Sequence, residues 1–156
     1  MKKYLSLMIK ITFVIYLIAT FFILFLGQRG HWSNFSITEY ALMQINIVPF
    51  KTIIEYIHAI LTGSMNVMIP IKNLVGNLVL FLPMGIYLPL FFKKSRSFKS
   101  FLLIVFAILL SIELIQFITK RGAFDIDDLI LNLSGASIGL AIWKSKLGQT
   151  IQSKIQ

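Results

Sequence analysis

The chain has 156 residues, of which 57% are hydrophobic, and its 15 basic and 6 acidic side chains leave a net charge of +9. It contains no cysteine, which excludes disulfides, thiolate catalysis and cysteine-ligated metals. The apolar share exceeds the roughly 45–50% of an ordinary soluble domain, and it collects in runs of the roughly 17–25 residues that a bilayer-crossing helix needs. The basic surplus does not point to nucleic acid, because it flanks these runs and no polar domain is present to dock a duplex.

In chain order, Met1-Lys2-Lys3 precedes an apolar stretch, Leu5–Leu26, much as in a signal peptide. The stretch ends in Gly27-Gln28-Arg29-Gly30 without a small-residue cleavage site, so it reads as an uncleaved first span, with Lys10 snorkelling to the inner interface. The connection Gly27–Lys72 is too long to be structureless. Within it, Ile53, Ile54, Ile57, Ile60 and Leu61 recur at helical spacing while Thr52, Glu55 and His58 fall on the other side. That pattern predicts a short amphipathic helix, Thr52–Thr62, lying in the outer interface after Pro49 and before Gly63. Trp32, Phe35, Tyr40 and Phe50 are expected to anchor the same segment at headgroup depth. His31 and His58 are interfacial loop residues, since neither belongs to a metal-ligand spacing.

Three further apolar runs follow, Leu74–Phe92, Phe101–Ile118 and the shorter Leu129–Trp143. The expected architecture is all-α, one domain over residues 1–156, with four transmembrane helices in a bundle and the short interfacial helix in the first outer loop. Lys2, Lys3, Lys10, Lys93, Lys94, Arg96, Lys99, Lys144, Lys146 and Lys154 are ten of the 15 basic residues. An orientation with both chain ends in the cytoplasm puts all ten on the inner side, and no acidic residue there.

Polar side chains inside an apolar span are costly and are candidates for function. Asn73 and Asn77 share a face of the second span by their i, i+4 spacing, and Glu113 and Gln116 share a face of the third by i, i+3. Asp125, Asp127 and Asp128 stand at the mouth of the fourth span, with Asn132 one turn further in and Arg121 in the preceding turn. Three helices thus deliver polar groups to the outer leaflet and none to the inner. The expected binding cluster is Asn73, Asn77, Glu113, Gln116, Arg121, Asp125, Asp128 and Asn132. The amide side chains are also the kind that hold helices together, and Asp125 and Asp128 suit helix capping with or without a direct role. Gly135 and Gly139 form a G-x-x-x-G that lets helix backbones touch, and Pro83 is expected to kink the second span and open space below the cluster.

The run Asn73-x3-Asn77-x3-Phe81-x-Pro83-x-Gly85 resembles the N-x3-N-x3-F-x-P-x-G signature of the VanZ-like family. Glu113-Leu-Ile-Gln116-Phe117 is similar to its E-x-x-Q-F element, and Arg121-x3-Asp125 through Asp128, Asn132 and Gly135 to its R-x3-D-x-x-D-x3-N-x2-G element. Asn46-Ile-Val-Pro49-Phe50 is similar to the family's N-x-x-P-F element. The four elements occur in family order over most of the chain. The resemblance implies a multi-pass protein of the bacterial cell membrane and envelope, in a family whose founding member is associated with resistance to the glycopeptide teicoplanin.

Three functional classes follow. In the first, an outer-leaflet pocket binds an amphiphile, such as a lipoglycopeptide, a membrane lipid or a lipid-linked envelope component. In the second, the protein is an intramembrane enzyme on a lipid-linked phosphate, with Glu113, Asp125 and Asp128 as weak candidates to hold a divalent cation and Arg121 facing the phosphate. No nucleophile–base pair, H-E-x-x-H or P-loop accompanies that reading, and no cofactor is otherwise expected. In the third, the polar network is structural and the protein serves a partner or a second copy of itself.

Overall fold

In a computed structural model of the protein, residues 2–26 and 34–155 are described. The elements are α1 (Lys2–Leu26), α2 (Ile37–Gln44), β1 (Ile45–Asn46), α3 (Lys51–Thr62), α4 (Met68–Leu80), α5 (Leu82–Phe91), a 3-10 turn (Lys93–Arg96), α6 (Phe98–Ile118), β2 (Phe124–Asp125), α7 (Ile126–Lys144) and α8 (Lys146–Ile155). Four helical segments are long and apolar enough to cross a membrane: α1, the α4–α5 pair over Met68–Phe91, α6 and α7. Trp32, His31 and the Gly27–Gly30 stretch lie outside the described residues.

α7 is the hub of the bundle, packed against α4, α5 and α6. Its small residues decide how closely. A Cβ on Gly135 would fall on the carbonyl oxygen of Leu78, one on Gly139 on that of Leu82, and one on Gly85 on that of Ala136. Glycine is required on both sides because the two backbones are in direct contact, the arrangement that small residues at four-residue spacing permit in lipid. The core beside this seam is formed by Phe81, Met84, Leu88, Phe101, Val105, Leu109, Leu129, Ala136, Leu140 and Trp143.

The second span is broken at Phe81, two residues before Pro83. Proline has no N–H for the carbonyl four residues back and its ring crowds that turn. The Leu80 carbonyl, also freed at the break, accepts a hydrogen bond from the Tyr16 hydroxyl at 2.9 Å. α1 is fastened to the same span by rings, with Phe13 5.0 Å from Tyr87 and 5.1 Å from Phe91.

Two elements depart from the all-helical pattern or extend it. β1 and β2 form a two-residue parallel pair, Ile45 opposite Phe124 and Asn46 opposite Asp125. At the basic end of the bundle, α8 folds back onto α7 and α1, and Trp143 Nε1 donates to Gln152 Oε1 at 3.4 Å. The Arg96 guanidinium lies 5.8 Å from the Trp143 ring and donates from Nε to the Pro89 carbonyl at 3.0 Å.

One aromatic differs from the sequence expectation. Tyr40 is not a headgroup anchor; it is fully buried, and its hydroxyl donates to the Gly122 carbonyl at 2.7 Å. The ring packs against Phe117 in a tilted arrangement, with centroids 5.3 Å apart. The apolar body is buried by α2 folding onto the α6–α7 turn, a contact between segments some eighty residues apart that periodicity cannot show.

Candidate functional site: a polar cavity at one end of the bundle

The end of the bundle away from the basic turn holds a cavity of about 710 Å³. All eight residues of the expected cluster line it: Asn73 and Asn77 from α4, Glu113 and Gln116 from α6, Arg121 from the α6–α7 turn, and Asp125, Asp128 and Asn132 from the start of α7. The helix spacings bring this about, because i, i+3 and i, i+4 pairs stay on one face and each helix enters the cavity at the same height.

Five of the eight are engaged by the protein itself. Helix α1 ends with carbonyls that have no partner within the helix. Gln116 Nε2 donates to the Leu24 carbonyl at 2.8 Å and Arg121 Nη1 to the Phe25 carbonyl at 2.6 Å. These two side chains therefore cap α1, and the cation at a helix C-terminus suits the helix dipole. Arg121 is placed by the end of α6, where Lys120 takes a positive φ of 53° and Arg121 N donates back to the Gln116 carbonyl. Asp125 is the N-cap of α7, accepting from Asp127 N at 2.9 Å. It also accepts from Asn46 Nδ2 at 3.0 Å and Thr52 Oγ1 at 2.6 Å. Asn77 Nδ2 donates to Asp128 Oδ1, joining α4 to α7.

The remaining three are different. Asn73 Oδ1, Glu113 Oε2 and Asn132 Oδ1 are buried and accept no hydrogen bond from the described residues. Glu113 and Asn132 are each only 4% exposed. A buried acceptor without a donor costs on the order of 1–3 kcal/mol, and the three residues that carry these oxygens come from three helices to line one cavity.

Asp127, the acid between the two motif aspartates, turns away from the cavity. It is fully buried, and its carboxylate accepts from Phe50 N at 2.5 Å and Ile53 N at 3.1 Å, the orphan donors at the start of α3. Among the described residues no group of three or more His, Asp or Glu side chains is placed to hold a metal ion.

Lys72, Tyr56, Gln44 and Gly76 also line the cavity, and none belongs to the expected cluster. For α3 the signal was present: Thr52 and Tyr56 are i, i+4 neighbours on its inward face, and Ala59 continues that face into full burial. Thr52 does fall on the side opposite the isoleucines, but that side meets protein. Ile54, Ile57, Ile60 and Leu61 form the exposed side, while His58 and Glu55 are exposed at its edge. Burial, followed by the Asp128 and Asp125 carboxylates, pushes the Tyr56 phenol above its ordinary value of 10.0.

Comparison with known proteins agrees with the motifs. The sequence matches the VanZ/LLP1 family over residues 13–148. It is 29% identical over 112 residues to Protein VanZ of Enterococcus faecium, an alignment covering 72% of this chain. The chain spans 60% of that relative's length. No solved structure matches it. The chain is a membrane protein with four apolar, membrane-spanning helices and belongs to the VanZ/LLP1 family.

Proposed function

We propose that this protein works at the outer face of the bacterial cell membrane, where its polar cavity engages an amphiphile or a lipid-linked envelope component, and that it thereby lowers sensitivity to lipid-tailed glycopeptides such as teicoplanin. The basic end of the bundle, with Lys93, Lys94, Arg96, Lys99 and Lys144, faces the cytoplasm, as the positive-inside rule requires. The cavity then opens into the outer leaflet.

One observation carries this reading: Asn73, Glu113 and Asn132 line a single cavity and each carries a buried oxygen without a hydrogen-bond partner among the described residues. A purely structural network would have satisfied them, because half-satisfied polar groups in a low-dielectric site are destabilising. The exposed isoleucine face of α3 beside the cavity supports an amphiphilic ligand, since that face suits an interface between headgroups and chains.

The test is expression in a glycopeptide-sensitive bacterium, with membrane insertion confirmed, followed by inhibition measurements with teicoplanin and with a glycopeptide that lacks a lipid tail. Reduced sensitivity to the tailed drug is the expected result. Unchanged sensitivity to both counts against the resistance reading.

A second reading is an enzyme acting on a lipid-linked phosphate, favoured by the company of Lys72 and Arg121 with Glu113 and Asp128 on one cavity. Turnover of such a phosphate by the purified chain, lost in Glu113→Gln, supports it, and an inert, folded protein removes it.

A further inference from the structure

We propose that the occupant of the cavity is a membrane lipid whose headgroup carries a primary ammonium beside a phosphate, held with its chains passing out between α1 and α4. The inference rests on the reading above that the cavity engages an amphiphile, and it specifies the chemistry of that amphiphile.

The orphaned oxygens set the first requirement. Asn73 Oδ1 and Asn132 Oδ1 can only accept, and Glu113 Oε2 accepts in the ionised form that a bound cation favours, so the occupant must bring donors. A primary ammonium offers three N–H groups on one atom, one for each helix. Two of the acceptors are amide oxygens and one is a carboxylate, with Asp128 on the same wall. A buried carboxylate is best compensated by a positive charge that also donates to it. A quaternary ammonium has the charge without the donors, and a neutral polyol has donors without the charge.

Lys72 and Arg121 supply the second requirement. Both line the cavity, Lys72 next to Asn73 and rather more than one turn outward of Asn77 on α4, and Arg121 in the connecting turn outside the helices. A phosphate set next to the ammonium finds these cations at the mouth, where an anion is matched by a guanidinium or an ammonium.

The wall between α1 and α4 supplies the third. Ile23 of α1 and Ile69, Gly76 and Val79 of α4 line the cavity, and Ile23, Ile69 and Val79 are more than half exposed. At Gly76 a Cβ would meet nothing within 4 Å. The headgroup chamber therefore communicates sideways with the hydrocarbon layer through an apolar gap in which a glycine leaves room, as two acyl chains need.

The experiment is native mass spectrometry of the purified full chain released from detergent micelles, with lipids of matched acyl chains added one at a time. Phosphatidylethanolamine is expected to bind at least about tenfold more tightly than phosphatidylcholine, the scale of a charge-assisted hydrogen bond, and more tightly than phosphatidylglycerol. Acyl-free glycerophosphoethanolamine is expected to bind weakly. Equal binding of the ethanolamine and choline lipids, or of the glycerol lipid, overturns the ammonium assignment while leaving an amphiphile site standing. Retention of none of the lipids overturns the amphiphile reading itself.

Gly76→Phe, whose Cβ meets no atom within 4 Å, places its ring in the gap and is expected to lose the ethanolamine lipid while the protein still folds. Leu103→Phe, on the exposed face of α6 and away from the cavity, is expected to bind as the natural chain does. Unaltered lipid retention by the folded Gly76→Phe protein rules out the lateral path.

Discussion

The carboxylate of Asp127, at the start of α7, accepts the backbone N–H of Ile53 in α3 at 3.1 Å. Its other oxygen takes the N–H of Phe50, the cap position of that helix, where φ is 66°. Phe50 has no side-chain oxygen to cap α3, so the cap is delivered from another helix. Asp127→Ala is expected to destabilise the protein by about 2–4 kcal/mol, because two orphan donors and a capping charge are lost together. Asp127→Asn is expected to cost less, since the amide oxygen still accepts. Unfolding by a denaturing detergent, followed by circular dichroism, measures both. Equal stability of Asp127→Ala and the natural chain rules the cap out as a stabilising element.

The seam between α5 and α7 gives a steric prediction. A methyl group on Gly139 would meet the Leu82 carbonyl and one on Gly85 the Ala136 carbonyl. Gly139→Ala and Gly85→Ala are each expected to cost about 2 kcal/mol or more, because backbone cannot rotate out of the way as a side chain can. Gly76→Ala, where the space is open, is expected to gain about 0.5–1 kcal/mol from restricting the unfolded chain. The contrast in folded yield between Gly139→Ala and Gly76→Ala checks the packing directly.

Tyr40→Phe keeps the buried ring and removes the hydroxyl that donates to the Gly122 carbonyl. The expected loss is about 1 kcal/mol. Tyr40→Ala, which also empties the site beside Phe117, is expected to cost about 3–5 kcal/mol by analogy with other buried aromatic truncations. A Tyr40→Ala protein as stable as Tyr40→Phe would mean that the ring is not packed as described.

Tyr56 supplies a prediction in pH. Its phenol is raised above 10.0 by burial and by the carboxylates of Asp128 and Asp125. A group whose folded value is raised contributes stability that is present below its unfolded value and is lost as pH climbs through the folded one. Stability is therefore expected to fall above about pH 10, less so in Tyr56→Phe. The ultraviolet difference titration between the natural chain and Tyr56→Phe should show a phenol ionising later than an exposed tyrosine. Ionisation at the ordinary value would place Tyr56 outside the cavity wall.

Orientation is checked with single cysteines, since the chain has none of its own. Ala123 lies in the α6–α7 turn and Lys94 in the basic turn, and both are exposed. A membrane-impermeant maleimide added to whole cells is expected to label Ala123→Cys and to spare Lys94→Cys. The reverse pattern would turn the bundle over and put the cavity on the cytoplasmic side.

Much of this fold could be read from the residues alone. Apolar runs of bilayer length mark spans because lipid offers the backbone no hydrogen bonds and leaves a helix as the answer. Once the spans are known, chain direction sets the depth of each residue, which is why Asn77, Glu113 and Asn132 could be expected at one height. Gly135 and Gly139 announced a close backbone contact by their spacing, although not the partners Leu78 and Leu82.

What the residues could not reveal was how each polar group is satisfied. The cluster divides into groups that cap helices, such as Gln116 and Arg121 on α1 or Asp125 on α7, and groups that keep one oxygen without a partner, namely Asn73 Oδ1, Glu113 Oε2 and Asn132 Oδ1. Asp125 and Asp127 are two positions apart, yet one lines the cavity and the other holds the start of α3. Length, hydropathy and helical period determined the spans, their small-residue seam and the level of the polar groups, because those follow from the geometry of one helix in a bilayer. Only the tertiary structure decided which oxygens remain unpartnered, because a hydrogen bond is directional and the partners that join these helices come from segments 51 to 96 residues away.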